Sequence, residues 1–142
     1  MNQKSSTGME ANLFAMLVYI ISIILIFIPY VCFVSWLFPL LVVILIEKQS
    51  VFVKRHAAQI MAICIVSAAI QIIFEIIAFA IASTNPFSAF SGISFLSVLS
   101  IIIQLLLVVL GVYGAVKAYR NEDYSAPIIG ILGDSIGNGL IK

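Results

Sequence analysis

Charge is what this sequence lacks most. Of its 142 residues seven are Lys or Arg and six are Asp or Glu, so 9% are charged, where a soluble domain carries about 25%. So few polar groups cannot cover a folded surface in water, which argues against a soluble globule. The net charge of +1 gives no bias towards nucleic acid or acidic soluble substrates. Cysteine is scarce too. Cys32 and Cys64 stand in separate apolar runs with no C-x-x-C, which excludes a disulfide framework and a metal knuckle and leaves two buried thiols. H-E-x-x-H, G-x-S-x-G, a phosphate loop and paired carboxylates within an apolar run are all absent, so neither an enzyme nor a cofactor is expected. Gly130, Gly133, Gly137 and Gly139 follow no strand and make no nucleotide loop.

Apolar sequence is what is abundant: 63% of residues are hydrophobic and the mean hydropathy is +1.25. These values describe an all-α integral membrane protein whose main partner is the lipid bilayer. Residues 11–46 contain no charge, yet one helix of that length would measure about 54 Å against a hydrocarbon core of about 30 Å. Pro29 and Tyr30 mark the break, giving spans over about 11–28 and 31–46. The box Thr7-Gly8-Met9-Glu10 predicts that the first helix starts near Gly8. No small-x-small cleavage site follows that helix, so it is expected to be retained, and the absence of a transit segment favours a bacterial plasma membrane. Pro39 predicts a kink in the second span, since it cannot donate to the carbonyl of Ser35. A third span covers about 57–82, residues 83–92 form a surface connection, and a fourth span covers about 93–119. The resulting domains are a cytoplasmic segment 1–10, a four-helix bundle 11–119 and a cytoplasmic tail 120–142, within which 127–132 is an interfacial piece.

The positions of the basic residues test this count. With the amino end inside, Lys4, Lys48, Lys54, Arg55, Lys117, Arg120 and Lys142 all fall on the cytoplasmic side, as the positive-inside rule requires. Tyr30, Trp36, Phe87 and Phe90 fall on the other, as interfacial aromatics.

Helices in lipid associate through small residues and polar pairs. Ala58 and Ala62 of the third span are predicted to meet Gly111, Gly114, Ala115 and Ala118 of the fourth. Gln71 and Gln104 lie at matching depth if counted from the outer ends, and Glu75 is one turn from Gln71, so the three form the candidate intramembrane polar cluster. It reads either as a cation or proton site or as a structural clamp around a protonated Glu. Tyr19 needs a hydroxyl partner and is a candidate member of the same cluster. His56 reads as an interfacial hydrogen-bond donor, with no metal site, because no second ligand has suitable spacing.

The stretch Phe52-Val53-Lys54-Arg55-His56-Ala57-Ala58-Gln59 has the form F-x-x-x-H-A-x-Q at the start of the third helix. Ala115 to Ile128 closes the fourth helix with a small residue, a basic turn, an acidic residue, Tyr and Pro. Over residues 11–133 this pattern resembles the bacterial branch of the chloroplast inner-envelope protein-import component family. The resemblance implies four membrane helices with both ends on one side and a link to protein translocation, with Phe52, Arg55, His56 and Gln59 as the family-motif loop. The leading expectation is therefore a non-catalytic membrane subunit or scaffold, partnered by a second copy or another membrane protein. A small oligomeric channel or ion-coupled transporter using Glu75 is the alternative, and immunity against a membrane-active peptide a third.

Overall fold

A computed structural model of the chain describes residues 3–141. The expectation of an all-helical protein is met: apart from an isolated bridge between Lys4 and Glu10, the described residues form helices and their connections. Helix α1 is Ala11–Phe27, a 3₁₀ turn covers Val31–Phe33, α2 is Leu37–Leu41 and continues as a π turn Val42–Ile46. Helices α3 (Val51–Thr84), α4 (Pro86–Tyr119) and α5 (Gly130–Ile141) follow.

The start of α1 differs from the expected capping box. Gly8 takes φ +85 and the Thr7 hydroxyl pairs with Ser5, so the helix begins at Ala11 instead, with no side-chain cap from Glu10. It ends where expected, with Tyr30 in the left-handed region at φ 64 just after Pro29.

Pro39 does not interrupt a long helix, as the expected kink requires. It lies in the first turn of α2, where a missing N–H breaks no internal bond, and the carbonyl of Ser35 accepts from Phe38 N at 3.2 Å. The second apolar run is thus three short helical pieces, where the sequence suggested one. Its π turn closes with Glu47 N donating to the Val42 carbonyl at 2.7 Å, a wider ring than the α-helix makes.

Helices α3 and α4 have 34 residues each, about 51 Å at 1.5 Å per residue. Only Asn85 separates them, where a ten-residue connection was expected. Residues before proline are held extended, and Asn85 has φ −154 and ψ 110. Its Oδ1 accepts from Phe87 N at 2.9 Å while Pro86 occupies the first helical position, so one residue ends α3 and caps α4.

Helix α3 is central. Every residue from His56 to Cys64 is buried, since α1, α2, α4 and α5 all pack on it. Beyond Ala68 that cover thins: Ile72, Ile73, Ile76 and Phe79 of α3 and Phe95, Val98, Ile101 and Ile102 of α4 are exposed. Helices α3 and α4 are each long and apolar enough to cross a membrane, and α1 is a shorter apolar helix.

Candidate functional site

A cluster of interacting polar residues gathers at the end of the bundle where α1 and α3 begin and α4 ends. Three loops are tied together there. Glu47, fully buried, accepts from Ser6 Oγ at 2.8 Å, Ser6 N at 3.0 Å and Ser50 N at 2.9 Å. Burial pushes its carboxyl upward, but these donors stabilise the charged form more strongly and hold it below the usual carboxylate range. Ser50 in turn caps α3 by accepting from Val53 N. Asn12 Nδ2 donates to the Tyr119 carbonyl at 3.0 Å, joining the start of α1 to the end of α4.

Above this clasp the motif residues of α3 grip the tail. His56 Nε2 lies 3.1 Å from the Glu122 carbonyl, which can only accept, so this nitrogen carries the proton. Nδ1 of the neutral ring then accepts from the Tyr19 hydroxyl at 3.3 Å. Phe52 packs on the imidazole with ring centroids 4.5 Å apart. Gln59 makes three bonds to the tail: Nε2 donates to Asp134 Oδ1 at 2.8 Å and to the Gly130 carbonyl at 3.4 Å, and Oε1 accepts from Ala126 N at 3.2 Å. Arg55 faces Asp123 at 3.9 Å. Lys117 pairs with Glu122, whose carboxyl that ammonium holds below its usual range.

Two glycines let these side chains in. A Cβ on Gly133 would sit 2.7 Å from the Gln59 amide, and one on Gly114 would sit 2.6 Å from the Tyr19 ring and 2.9 Å from Tyr124. Tyr124 donates to the Leu110 carbonyl at 2.9 Å, and burial raises its hydroxyl above the usual tyrosine value. A cleft of about 550 Å³ lies over the junction, bounded by Arg55, His56, Gln59, Asp123 and Asp134. It joins one guanidinium, two carboxylates and a neutral imidazole. Among the described residues no group of three or more His, Cys, Asp or Glu side chains could hold a metal ion.

The structure therefore brings Phe52, Arg55, His56 and Gln59 together, but as the anchor of the tail. Tyr19 joins His56 and not the intramembrane cluster. Helix α5 replaces the short interfacial piece expected at 127–132. Asp134, Glu122 and Glu47, the partners that complete this site, were missed by sequence reasoning, and nothing in their spacing marks them.

The small residues also pack differently from expectation. A Cβ on Gly111 would meet Ile23 of α1 at 3.1 Å and Ile60 of α3 at 3.6 Å, and Gly114 faces Tyr19 of α1, so Gly111 lies against both α1 and α3 and Gly114 admits α1. Ala58 instead faces Gly137 of α5. Ala62, Ala115 and Ala118 are buried.

Of the intramembrane cluster, Gln71 and Gln104 do not pair with each other. Ser67 Oγ donates to Gln104 Oε1 at 2.9 Å, and Ser100 Oγ donates to Gln71 Oε1 at 3.4 Å. Glu75 is exposed on α3 and borders a cleft that also touches Gln71 and Gln104. Cys32 and Cys64 are free thiols.

Fold and site together define an all-helical protein with two potential membrane-crossing helices and a tail locked onto the central one. The chain belongs to the MamF/MmsF family, the magnetosome magnetite crystal formation protein family, whose model matches residues 10–132. This overturns the resemblance to the inner-envelope import family, and the link to protein translocation goes with it. The F-x-x-x-H-A-x-Q stretch that carried the resemblance lies inside the matched region. No curated protein and no solved structure matches the chain.

Proposed function

We propose that the chain is a four-span, non-catalytic protein of the magnetosome membrane that serves magnetite crystal formation as a structural or accessory subunit. The observation that carries this reading is the family match, which takes in everything from the start of α1 to the first turn of α5. In this arrangement α1 and the broken segment 31–46 are the first two spans and α3 and α4 the others. The magnetosome membrane takes the place of the bacterial plasma membrane expected from sequence.

Both termini belong to the cytoplasmic face. Support comes from the contacts Ser6 to Glu47, Asn12 to Tyr119 and His56 to Glu122. These draw Lys4, Lys48, Lys54, Arg55, Lys117 and Arg120 towards one end, which the positive-inside rule assigns to the cytoplasm. Lys142 lies outside the described residues. Phe87 and Phe90, at the opposite end, are 95% and 82% exposed, as aromatics at a headgroup boundary are. The partner beyond lipid is a second copy or another protein of the same membrane.

Deleting the gene in its host and measuring crystals by electron microscopy tests the role, with fractionation of a tagged chain testing the location. Altered crystal size or shape, restored by complementation, together with enrichment in purified magnetosomes is the expected result. Unchanged crystals, or a chain found only in the plasma membrane, would sink it.

A further inference from the structure

The tail does not leave the bundle where α4 ends. Tyr119 closes that helix, yet Tyr124 reaches back to donate to the Leu110 carbonyl at 2.9 Å and meets the Tyr113 ring edge-on. Ala126 N and the Gly130 carbonyl both bond the Gln59 amide, and Gly133 and Gly137 lie against Gln59 and Ala58. Gln59 follows Val51, the start of α3, by eight residues, about 12 Å along the helix axis. It also lies one turn beyond Arg55, the last Lys or Arg of α3. The chain therefore turns back along the bundle and comes to rest further in than the basic residues at that end.

What it exposes there is apolar. Ile128 is 92% exposed, Ile131 76% and Leu132 40%. Asp134 and Asn138 line the cleft shared with Arg55 and Asp123, whereas these three apolar side chains do not. The exposed Val109 and Val112 of α4 flank Leu110, to which Tyr124 is bonded, so the apolar edge of the tail continues a surface that the four-span reading gives to lipid.

The backbone points the same way. Ile129 N donates to the Pro127 carbonyl at 2.6 Å across Ile128, whose φ is 64, which makes a γ-turn of the rare, strained hand. A β-branched residue is a poor choice for the left-handed region. In water nothing offsets that strain, since the side chain it projects packs on almost nothing. Among acyl chains the transfer of isoleucine out of water offsets it. Lipid also demands that backbone polar groups be satisfied within the protein. Pro127 has no N–H, and those of Ala126, Ile129, Gly130, Leu132 and Gly133 are bonded.

We propose that residues 127–132 re-enter the membrane from the cytoplasmic side, with Ile128, Ile131 and Leu132 among the acyl chains of that leaflet. The tail is then a lipid-binding element and not a free cytoplasmic extension. The inference rests on the four-span reading and not on a role in crystal formation.

The full chain in vesicles of phosphatidylcholine and phosphatidylglycerol provides the test, with a small fraction of the lipid carrying a photoactivated diazirine on the acyl chain close to the ester. After illumination and digestion, mass spectrometry should find lipid adducts on 127–132 at a yield comparable with that on 105–112 of α4. Adducts on 105–112 with none on 127–132 overturn the proposal and leave the four-span reading standing; water or a second copy over this edge would give that pattern. Adducts on neither segment overturn both.

Ile128→Asn tests the residue itself. Asparagine accepts positive φ, so the turn is kept while the apolar side chain is lost. Adducts on 127–132 should fall severalfold, with those on 105–112 unchanged and hydrogen exchange over 133–141 as slow as in the wild type. An unchanged yield on 127–132 overturns the placement of Ile128 in the leaflet. A lower yield with faster exchange over 133–141 marks undocking of the tail, and the wild-type adducts then decide alone.

Discussion

Gln59→Leu is the sharpest perturbation of the junction, because it keeps most of the side-chain volume and removes both ends of the amide. Three hydrogen bonds to the tail disappear together. Asp134 is exposed and recovers water as a partner, so its bond contributes about 1 kcal/mol net. The N–H of Ala126 is buried and cannot, so leaving it unpaired costs about 1–3 kcal/mol. The bond to the Gly130 carbonyl, at 3.4 Å, is long and adds little. The sum is about 2–4 kcal/mol, all of it spent on the docking of 126–141. At about 1.4 kcal/mol per tenfold, the opening equilibrium of α5 rises by roughly 30- to 700-fold. Hydrogen exchange by mass spectrometry in nanodiscs reads this directly. Peptides from 126–141 should exchange faster by that factor, while peptides from 104–118 stay protected. Unchanged exchange in the tail would show that Gln59 does not hold it. A uniform acceleration over all helices would show that α5 is not a separable unit.

Three further outcomes follow from other contacts. The Glu47 clasp stabilises the fold through a carboxyl held below its unfolded value, so its contribution is present above the ordinary carboxylate range and is lost as pH falls through the folded value. Acid should therefore release the segment 3–10 to protease in the wild type, whereas Glu47→Gln should show that sensitivity already at neutral pH. Gly114→Ala drives a methyl into the Tyr19 ring and should cost about 1–3 kcal/mol by overpacking. Gly139→Ala, with nothing within 4 Å, should leave the melting temperature unchanged or slightly raised. Cysteines placed at position 48 and at position 87 should label from opposite sides of sealed vesicles, and labelling from one side refutes the four-span arrangement.

Much of the fold was legible because lipid imposes strong rules on sequence. The break at Pro29, two long apolar helices expected at about 57–82 and 93–119 and found at 51–84 and 86–119, and the gathering of basic residues at one end follow from hydropathy, proline chemistry and charge position. Depth in the hairpin was misjudged for a specific reason. A ten-residue connection puts Gln71 and Gln104 level, but with Asn85 as the sole connector Gln71 and Ser100 stand fourteen and fifteen residues from the turn, and Ser67 and Gln104 eighteen and nineteen. Those are the pairs that bond. The capping box failed because Thr7 found Ser5 before it found a helix amide. Helix α5 was hidden by its composition, since four glycines in Gly130–Ile141 argue against a helix on propensity. Tertiary contact reverses that judgement: Gly133 and Gly137 are the surface that lies flush on Gln59 and Ala58.

The uneven cover along α3 has a mechanical consequence. At the end near His56 the central helix is wrapped on every side, while towards Asn85 only the α3–α4 pair continues. In the spanning arrangement proposed above, a body broad at one end and two helices wide at the other takes up different areas in the two leaflets. Its free energy in a bilayer then depends on how sharply that bilayer bends, so curvature alone can bias where such a molecule collects.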